Sequence, residues 1–563
     1  MIRFNKNLWM AIVMTVSLPV IGFAQNQTES TATIKKTTPD NWHLLDKKET
    51  GFNGISLDKA YEFLKGRQSK PVLVAVIDSG IDTLHEDLKP VLWRNPGEIP
   101  GNGIDDDKNG YIDDIYGWNF LGGKDGRNVG VDSYEGARVY WSLKSKYDNA
   151  DPATLSEKDK EEYQTYLRAK EGVVGNIDPS ETIMLQRILP VLEAGDSIIA
   201  KDLGKTEFSG NDLKLYNATQ DEARKAAMVY LNICRMNDNF DITNQQIIEN
   251  FKGELRKADA ASTPPENYRG DIVKDDYNDI NDRYYGNPDV MANTPMHGTH
   301  CAGIIAAVRN NGKGMNGVAD NVRIMMIRAV PDGDEHDKDI ANAIRYAVDN
   351  GAQIVSMSFG KGFSPQKVWV DDAVKYAASK GVLLVHAAGN SSQNLDSSFN
   401  FPNPSFADGN GRAKNFITVG ASGDATNGGF TARFSNYGKQ EVDVFAPGVN
   451  IYSTVPGGNT YAKLSGTSMA APVVAGLSAL ILEYFPELSA EQIKYVIEKS
   501  VTPIKEKVKI PGTDEETYLS DISKTGGEIN AYQAVKLAAT LKGERETQKD
   551  FLPKSKVKKG RKG

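Results

Sequence analysis

Ser468 stands in "SGTSMAAPVVAGLSAL" (Ser465 to Leu480), among small residues and just ahead of an apolar, helix-like run. A serine hydroxyl is a weak nucleophile unless a base takes its proton, a further group orients that base, and donors meet the negative charge that develops during attack. Without such partners it is a buried structural serine. The base can come only from His43, His85, His297, His300, His336 or His386. His297 and His300 share the segment "MHGTHCAGIIAAV", in which glycine allows close backbone approach and the following apolar residues fit a buried helix. A carboxylate, Asp78, ends the β-branched run "PVLVAVI" at Asp78-Ser79-Gly80. These three segments hold the parts of an activated-serine site.

Short apolar runs must position them. After residues 71–77 come "VRIMMIRAV" (Val322 to Val330), "QIVSMSFG" (Gln353 to Gly360), "VLLVHAAGN" (Val382 to Asn390) and "FITVGAS" (Phe416 to Ser422). Continuous rather than alternating hydrophobicity marks strands buried on both faces. Between them lie helical patterns that close on glycine, at Lys338 to Gly351 and Val368 to Gly381. This alternation predicts an α/β fold, a mostly parallel sheet with helices on both faces, whose chemistry gathers at the carboxyl ends of the strands.

The segments "VAVIDSGID" (Val74 to Asp82), "HGTHCAG" (His297 to Gly303) and "GTSMAAP" (Gly466 to Pro472) resemble, in this order, the three signature motifs of the subtilisin-like serine peptidases. "HAAGN" (His386 to Asn390) and "VFAPG" (Val444 to Gly448) are correctly interposed. The resemblance covers roughly Asp40 to Gly126 and Pro288 to Leu541. It implies a serine endopeptidase in which Ser468 attacks the scissile carbonyl, His297 carries the proton, Asp78 orients the imidazole, and the Asn390 amide joins the Ser468 N–H at the oxyanion. It also implies that Ser358, Phe359 and Gly360 pair with an extended substrate and that Ala387, Ala388 and Gly389 form the opposite pocket wall. Apolar side chains are expected before the cut. A catalytically silent peptide-binding homologue and a transpeptidase using the same acyl-enzyme are the alternatives. An esterase elbow would need Gly-x-Ser-x-Gly, with its acid and base after the serine. Cys301 corresponds to a packed, inert cysteine behind the catalytic histidine.

"GIDDDKNGYIDD" (Gly103 to Asp114) offers Asp105, Asp107, Asn109 and Asp113 at alternating positions, with Gly110 to turn the chain, much like the first half of an EF-hand loop. Its twelfth position is Tyr116 instead of a bidentate Glu. A structural Ca2+ is expected here, an ion-free acidic turn being the other reading. The family alignment suggests a second calcium site at Asp87, near Asn310 and Asn311.

The N-terminus has Arg3 and Lys6, an apolar run from Leu8 to Phe23 and small residues before Gln25, predicting a signal peptide over residues 1–24 and export to the periplasm or beyond the cell. The run is short for a membrane anchor and is interrupted by Ser17 and Pro19. Loss of two of the 66 basic residues leaves 64 against 74 acidic ones, a balance that disfavours nucleic acid as a partner and leaves protein or peptide substrates. The two cysteines give no disulfide framework.

Residues 25–39 read as an N-terminal extension, 40–125 and 289–541 as the two parts of a catalytic domain, and 542–563 as a basic, disordered tail. Residues 126–288 form a charged, helix-rich insertion between the Asp and His motifs, with a capping box at Thr219 to Glu222 and a stripe of Leu185, Ile188, Leu189 and Leu192. Its place in the chain puts it near the cleft rim, where it restricts access, selects substrates or merely decorates the fold. The stretch before Asp78 is short for an independently folded inhibitory propeptide.

Overall fold

The computed structural model describes residues 38–545, apart from 176–177, 206, 238–239, 241, 294 and 425–427. The expected signal peptide and nearly all of the basic tail lie outside the described residues. Two compact units are distinguished, one containing Lys170–Thr263 and the other containing Asp40–Ala169 and the chain from Pro264 onward.

The larger unit is built on a nine-stranded sheet. Its first strands are β1 (Val72–Asp78), β2 (Gly117–Asn119), β3 (Val322–Arg328), β4 (Ile354–Met357), β5 (Leu383–Ala387), β6 (Phe416–Ser422) and β7 (Val444–Pro447). A hairpin, β8 (Ile451–Val455) with β9 (Thr460–Leu464), precedes β10 (Thr502–Pro503), and a small ribbon, β11 (Lys507–Lys509) with β12 (Glu516–Tyr518), precedes β13 (Gly527–Glu528). The sheet order is β10-β13-β7-β6-β5-β4-β1-β3-β2. All its pairings are parallel except β10 with β13.

Side chains alternate across a strand, so β1 feeds two cores. Val72, Val74 and Val76 pack with the helices Met296–Ala306 and Thr467–Tyr484, while Ala75 and Ile77 pack with Asp337–Asp349 and Lys367–Ser379 on the other face. The expected parallel sheet with helices on both faces is therefore present, and the strands read from β-branched runs are β1, β3, β4, β5 and β6. Among the described residues, one helix, Thr467–Tyr484, is long and apolar enough to cross a membrane, with mean hydropathy 1.4; 89% of that stretch is buried inside the protein, as suits a core helix.

The smaller unit has its own core. Leu185, Leu192 and Ile199 of the helix Pro179–Leu203 pack with Ala226, Tyr230 and Ile233 of Asp221–Met236 and with Phe251 of Asn244–Asp259, and Ile188 and Leu189 join from partly buried positions. The expected capping box at Thr219 to Glu222 is not formed: the helix starts at Asp221 behind Gln220, which gives no side-chain cap. A reciprocal box forms instead at Thr243 and Gln246.

The insertion read as 126–288 divides. Its centre, 170–263, is the smaller unit, while both flanks belong to the larger one. The flanks are fixed by buried ions. Arg269 donates to Asp339 at 3.1 Å and to Asp275 at 3.0 Å, and Lys338 reaches Asp275 at 2.7 Å. Arg138 pairs with Glu135 at 2.7 Å, and Lys361 with Glu135 at 2.7 Å and Asp337 at 2.9 Å. The acidic run Asp334 to Asp339 is the hub of both clusters.

Candidate active site

β1 delivers Asp78 to the carboxyl edge of the sheet, where it is buried. Its Oδ1 accepts the Ser79 N–H at 2.7 Å and faces His297 Nδ1 at 2.8 Å. His297 sits in the first turn of the helix Met296–Ala306. The next residue must be glycine: a Cβ on Gly298 would lie 2.2 Å from the Gly80 carbonyl and 3.1 Å from the Asp78 Cβ. Burial opposes a charged imidazole, but this side chain is 38% exposed, so that penalty is partial; the Asp78 carboxylate and its hydrogen bond hold the His297 pKa well above the usual histidine value.

Ser468 is the second residue of the helix Thr467–Tyr484, and its hydroxyl donates to the Ser358 carbonyl at 3.0 Å. Cys301, one turn after His297, lies behind both residues: its sulfur is 3.9 Å from His297 Nδ1 and donates to the Ser468 carbonyl at 3.4 Å. The thiol is fully buried and its pKa is pushed up by that burial, which keeps it protonated and unreactive. Asn390 Oδ1 accepts from both the Thr467 N–H and hydroxyl at 2.9 Å, which fixes the amide. A Cβ on Gly466 would lie 3.4 Å from Asn390 Nδ2 and 3.5 Å from the Ser468 nitrogen, so two donors border one small space that glycine leaves open. Developing negative charge can be received there, with the N-terminal amides of the helix adding their dipoles.

His300 and His386 are held by backbone carbonyls. His300 Nε2 meets the Ala462 carbonyl at 3.1 Å, and His386 Nε2 donates to the Phe359 carbonyl at 2.8 Å. Burial lowers their pKa values to about 3 and about 4, respectively.

Of the expected substrate contacts, Ser358 lies against Ser468, and Gly360 is exposed. Phe359 is buried and its carbonyl is taken by His386. Ala387 and Ala388 are buried rather than lining the cleft with their side chains; their carbonyls accept from Asn400 Nδ2 at 3.1 and 3.0 Å, and Ala388 also accepts from Asn436 at 2.8 Å. Asn400 thus lies between the two walls: a Cβ on Gly360 would meet its Oδ1 at 2.4 Å, and one on Gly389 would be 3.5 Å from its Nδ2. Nothing in the spacing or motifs singled out Asn400, an asparagine in an irregular loop.

The acidic loop is rearranged relative to expectation. Glu98, Asp105 and Asp107 bring ligand oxygens within 4.8 Å of one another. Asp113 does not join them; its two oxygens accept the N–H groups of Gly101, Asn102 and Gly103 at 2.7–3.3 Å and brace that turn. The Asn109 side-chain oxygen accepts from the Tyr111 N–H, and its nitrogen points at Asp107 and Asp114. Glu98, which the spacing did not reveal, is buried and joins from outside the loop. Asp87 is also buried, with Tyr461 donating at 2.7 Å and Asn311 donating to its other oxygen. Asp87 and Asn311, the residues of the suggested second site, are thus in contact, and among the described residues no further acidic, histidine or cysteine group joins Asp87 in a three-ligand cluster.

A carboxylate-bound imidazole, a serine that shares its Cys301 neighbour and a two-donor pocket at the carboxyl edge of a parallel sheet are the parts of hydrolases and acyl-transfer enzymes built on an activated serine. The chain belongs to the subtilase family, whose sequence profile matches residues 69–521. It is 42% identical over 240 residues to the thermophilic serine proteinase of Bacillus sp. (strain AK1), covering 42% of this chain and 52% of that protein. It is 37% identical over 270 residues to thermitase of Thermoactinomyces vulgaris, covering 47% of this chain and 85% of that protein. The chain therefore spans about half the length of the Bacillus relative. Among solved structures, a protease from Pseudoalteromonas arctica PAMC 21717 aligns with TM-score 0.44 at 18% identity, covering 89% of this chain and all of that one, and the prenylagaramide maturation protease PagA aligns with TM-score 0.35 at 27% identity, covering 43% and 82%.

Proposed function

We propose that the chain is an exported serine endopeptidase that hydrolyses peptide bonds through an acyl-enzyme. The reading is carried by His297 bound to Asp78 at 2.8 Å, with Cys301 touching both His297 and the Ser468 carbonyl. Substrate entry releases the Ser468 hydroxyl from the Ser358 carbonyl. Neutral His297 takes its proton as Oγ attacks the scissile carbon, and Asp78 stabilises the imidazolium. Asn390 Nδ2 and the Ser468 N–H hold the oxyanion. The imidazolium then protonates the departing amine, and water, activated by His297, releases the acyl group.

Asn400, with Gly389, sets the floor between the substrate walls. Export rests on the N-terminal segment over residues 1–24. Glu98, Asp105 and Asp107 form a hard, oxygen-only donor set, which fits Ca2+. A bound calcium ion would brace the loop.

The test is mass spectrometry of a denatured protein mixture after incubation with the chain and with Ser468→Ala. New termini made by the wild type alone support the reading. Cleavage by both proteins, or by neither, rejects it, and ligated instead of hydrolysed products would identify a transpeptidase.

A further inference from the structure

The larger unit closes the substrate-pairing edge soon after it begins. Ser358 lies against the nucleophile, and Gly360, two residues on, is exposed with its N–H and C=O unpartnered among the described residues. The edge ends at Lys361. Its N–H donates to Phe401 at 3.1 Å, its carbonyl accepts from Phe401 at 2.8 Å, and its ammonium group is buried against Glu135, Asp337 and the Glu335 carbonyl. Residues 332–335, which Lys361 touches through the Glu335 carbonyl, are occupied as well. The Asp132 N–H donates to the Asp332 carbonyl at 2.9 Å, and the Asp332 N–H donates to Gly130 at 2.8 Å. Arg138 Nη2 donates to the Asp334 and Glu335 carbonyls at 3.1 and 3.2 Å. Phe401 has therefore taken the main-chain groups of Lys361, and residues 130–138, the first flank of the insertion, have taken groups of residues 332–335.

We infer that the Phe401 pairing of Lys361, together with this flank, limits recognition to about three residues on the non-leaving side of the cut, one for each of Ser358, Phe359 and Gly360, since strands pair residue for residue. The inference rests on the peptidase reading. A fourth residue meets Lys361 and its buried counterions and finds no free main-chain partner. Specificity is thus set by a short stretch next to the cut, and the insertion's contribution comes through its stem at Glu135 and Arg138.

The test is a series of N-acylated chromogenic peptides with one to five residues before the scissile bond, each with the same residue at the cut. kcat/KM is expected to rise about 2- to 10-fold per residue up to three, as main-chain hydrogen bonds accumulate, and then to change less than about twofold at four and five residues. Continued gain at the fourth and fifth residues overturns the inference. If no peptide of any length is cut, and proteins are not cut either, it is the peptidase reading that fails. Arg138→Gln frees the Asp334 carbonyl, while Lys361 still holds that of Glu335, and is expected to restore a gain at the fourth residue. A folded variant with an unchanged plateau overturns the role given to Arg138, and if the variant does not fold, the wild-type series decides.

Discussion

His297 Nδ1 lies 2.8 Å from the Asp78 carboxylate, although the two residues are 219 positions apart in sequence. The contact fixes the imidazole so that Nε2 is the atom free to work on substrate. Asp78→Asn would favour the wrong tautomer while preserving shape, and kcat should fall about 10⁴-fold, as in other Asp-His-Ser triads. Ser468→Ala should cost at least as much, and combining the two should add little. Active-site titration with single-turnover kinetics measures all three; additive losses would mean that the residues do not act as a unit.

The same contact sets the acid limb of the pH profile. His297 must be neutral to accept a proton, and its pKa is raised by Asp78. Activity should therefore rise with pH through a midpoint above 6.5, the ordinary histidine value. The pair's contribution to stability has the opposite dependence: it is fully present below the unfolded-state pKa and is lost as pH rises through the folded-state value. Asp78→Asn should move the kinetic midpoint downward. A wild-type midpoint at or below the ordinary value would contradict the role of the Asp78 charge.

Asn390→Ala removes one of the two donors at the Gly466 space and should lower kcat about 10²- to 10³-fold with little change in KM. A change confined to KM would place Asn390 in ground-state binding instead.

Glu98, Asp105 and Asp107 predict a thermal response to calcium. At calcium about 100-fold above Kd, binding adds roughly 2.7 kcal/mol, enough to raise Tm by several degrees. EGTA should remove that increment, and Asp105→Asn with Asp107→Asn should show the lower Tm and no response to EGTA. An unchanged wild-type Tm under EGTA would refute calcium at this loop.

Arg269 holds the second flank of the insertion on Asp339 and Asp275. Arg269→Met leaves buried carboxylates short of a counterion and should destabilise the larger unit by about 3–5 kcal/mol, as read from chemical denaturation. A loss below about 1 kcal/mol would show that water or Lys338 replaces the guanidinium.

What the sequence revealed followed the physics of each segment. Strands β1, β3, β4, β5 and β6 were legible because burial on both faces makes them continuously apolar. Asp78, His297 and Ser468 were legible because close packing around a reacting group demands glycine and small residues beside it. The division of the insertion was hidden, since the charges of "DGDEHDKD" (Asp332 to Asp339) carry no mark of burial, yet Lys338 and Asp339 are fully buried. A charge pattern does not reveal a counterion that arrives from 60 to 200 positions away. Asp113 was misplaced for a related reason: alternating carboxylates fit a cation and a turn of backbone amides equally well. Asn400 and Glu98 acquire their roles only from the folded path of the chain.

The central helix Thr467–Tyr484 carries Ser468, the proposed nucleophile, and also fills the core between the sheet and the helix Met296–Ala306. Ser468 follows Asp78 by about 390 residues, so at ribosomal rates of about 5–20 residues per second the nascent chain lacks both its hydrophobic centre and its reactive hydroxyl for roughly 20–80 s. Placing both on one late helix means that the chain cannot acquire its cutting edge before it has acquired its fold.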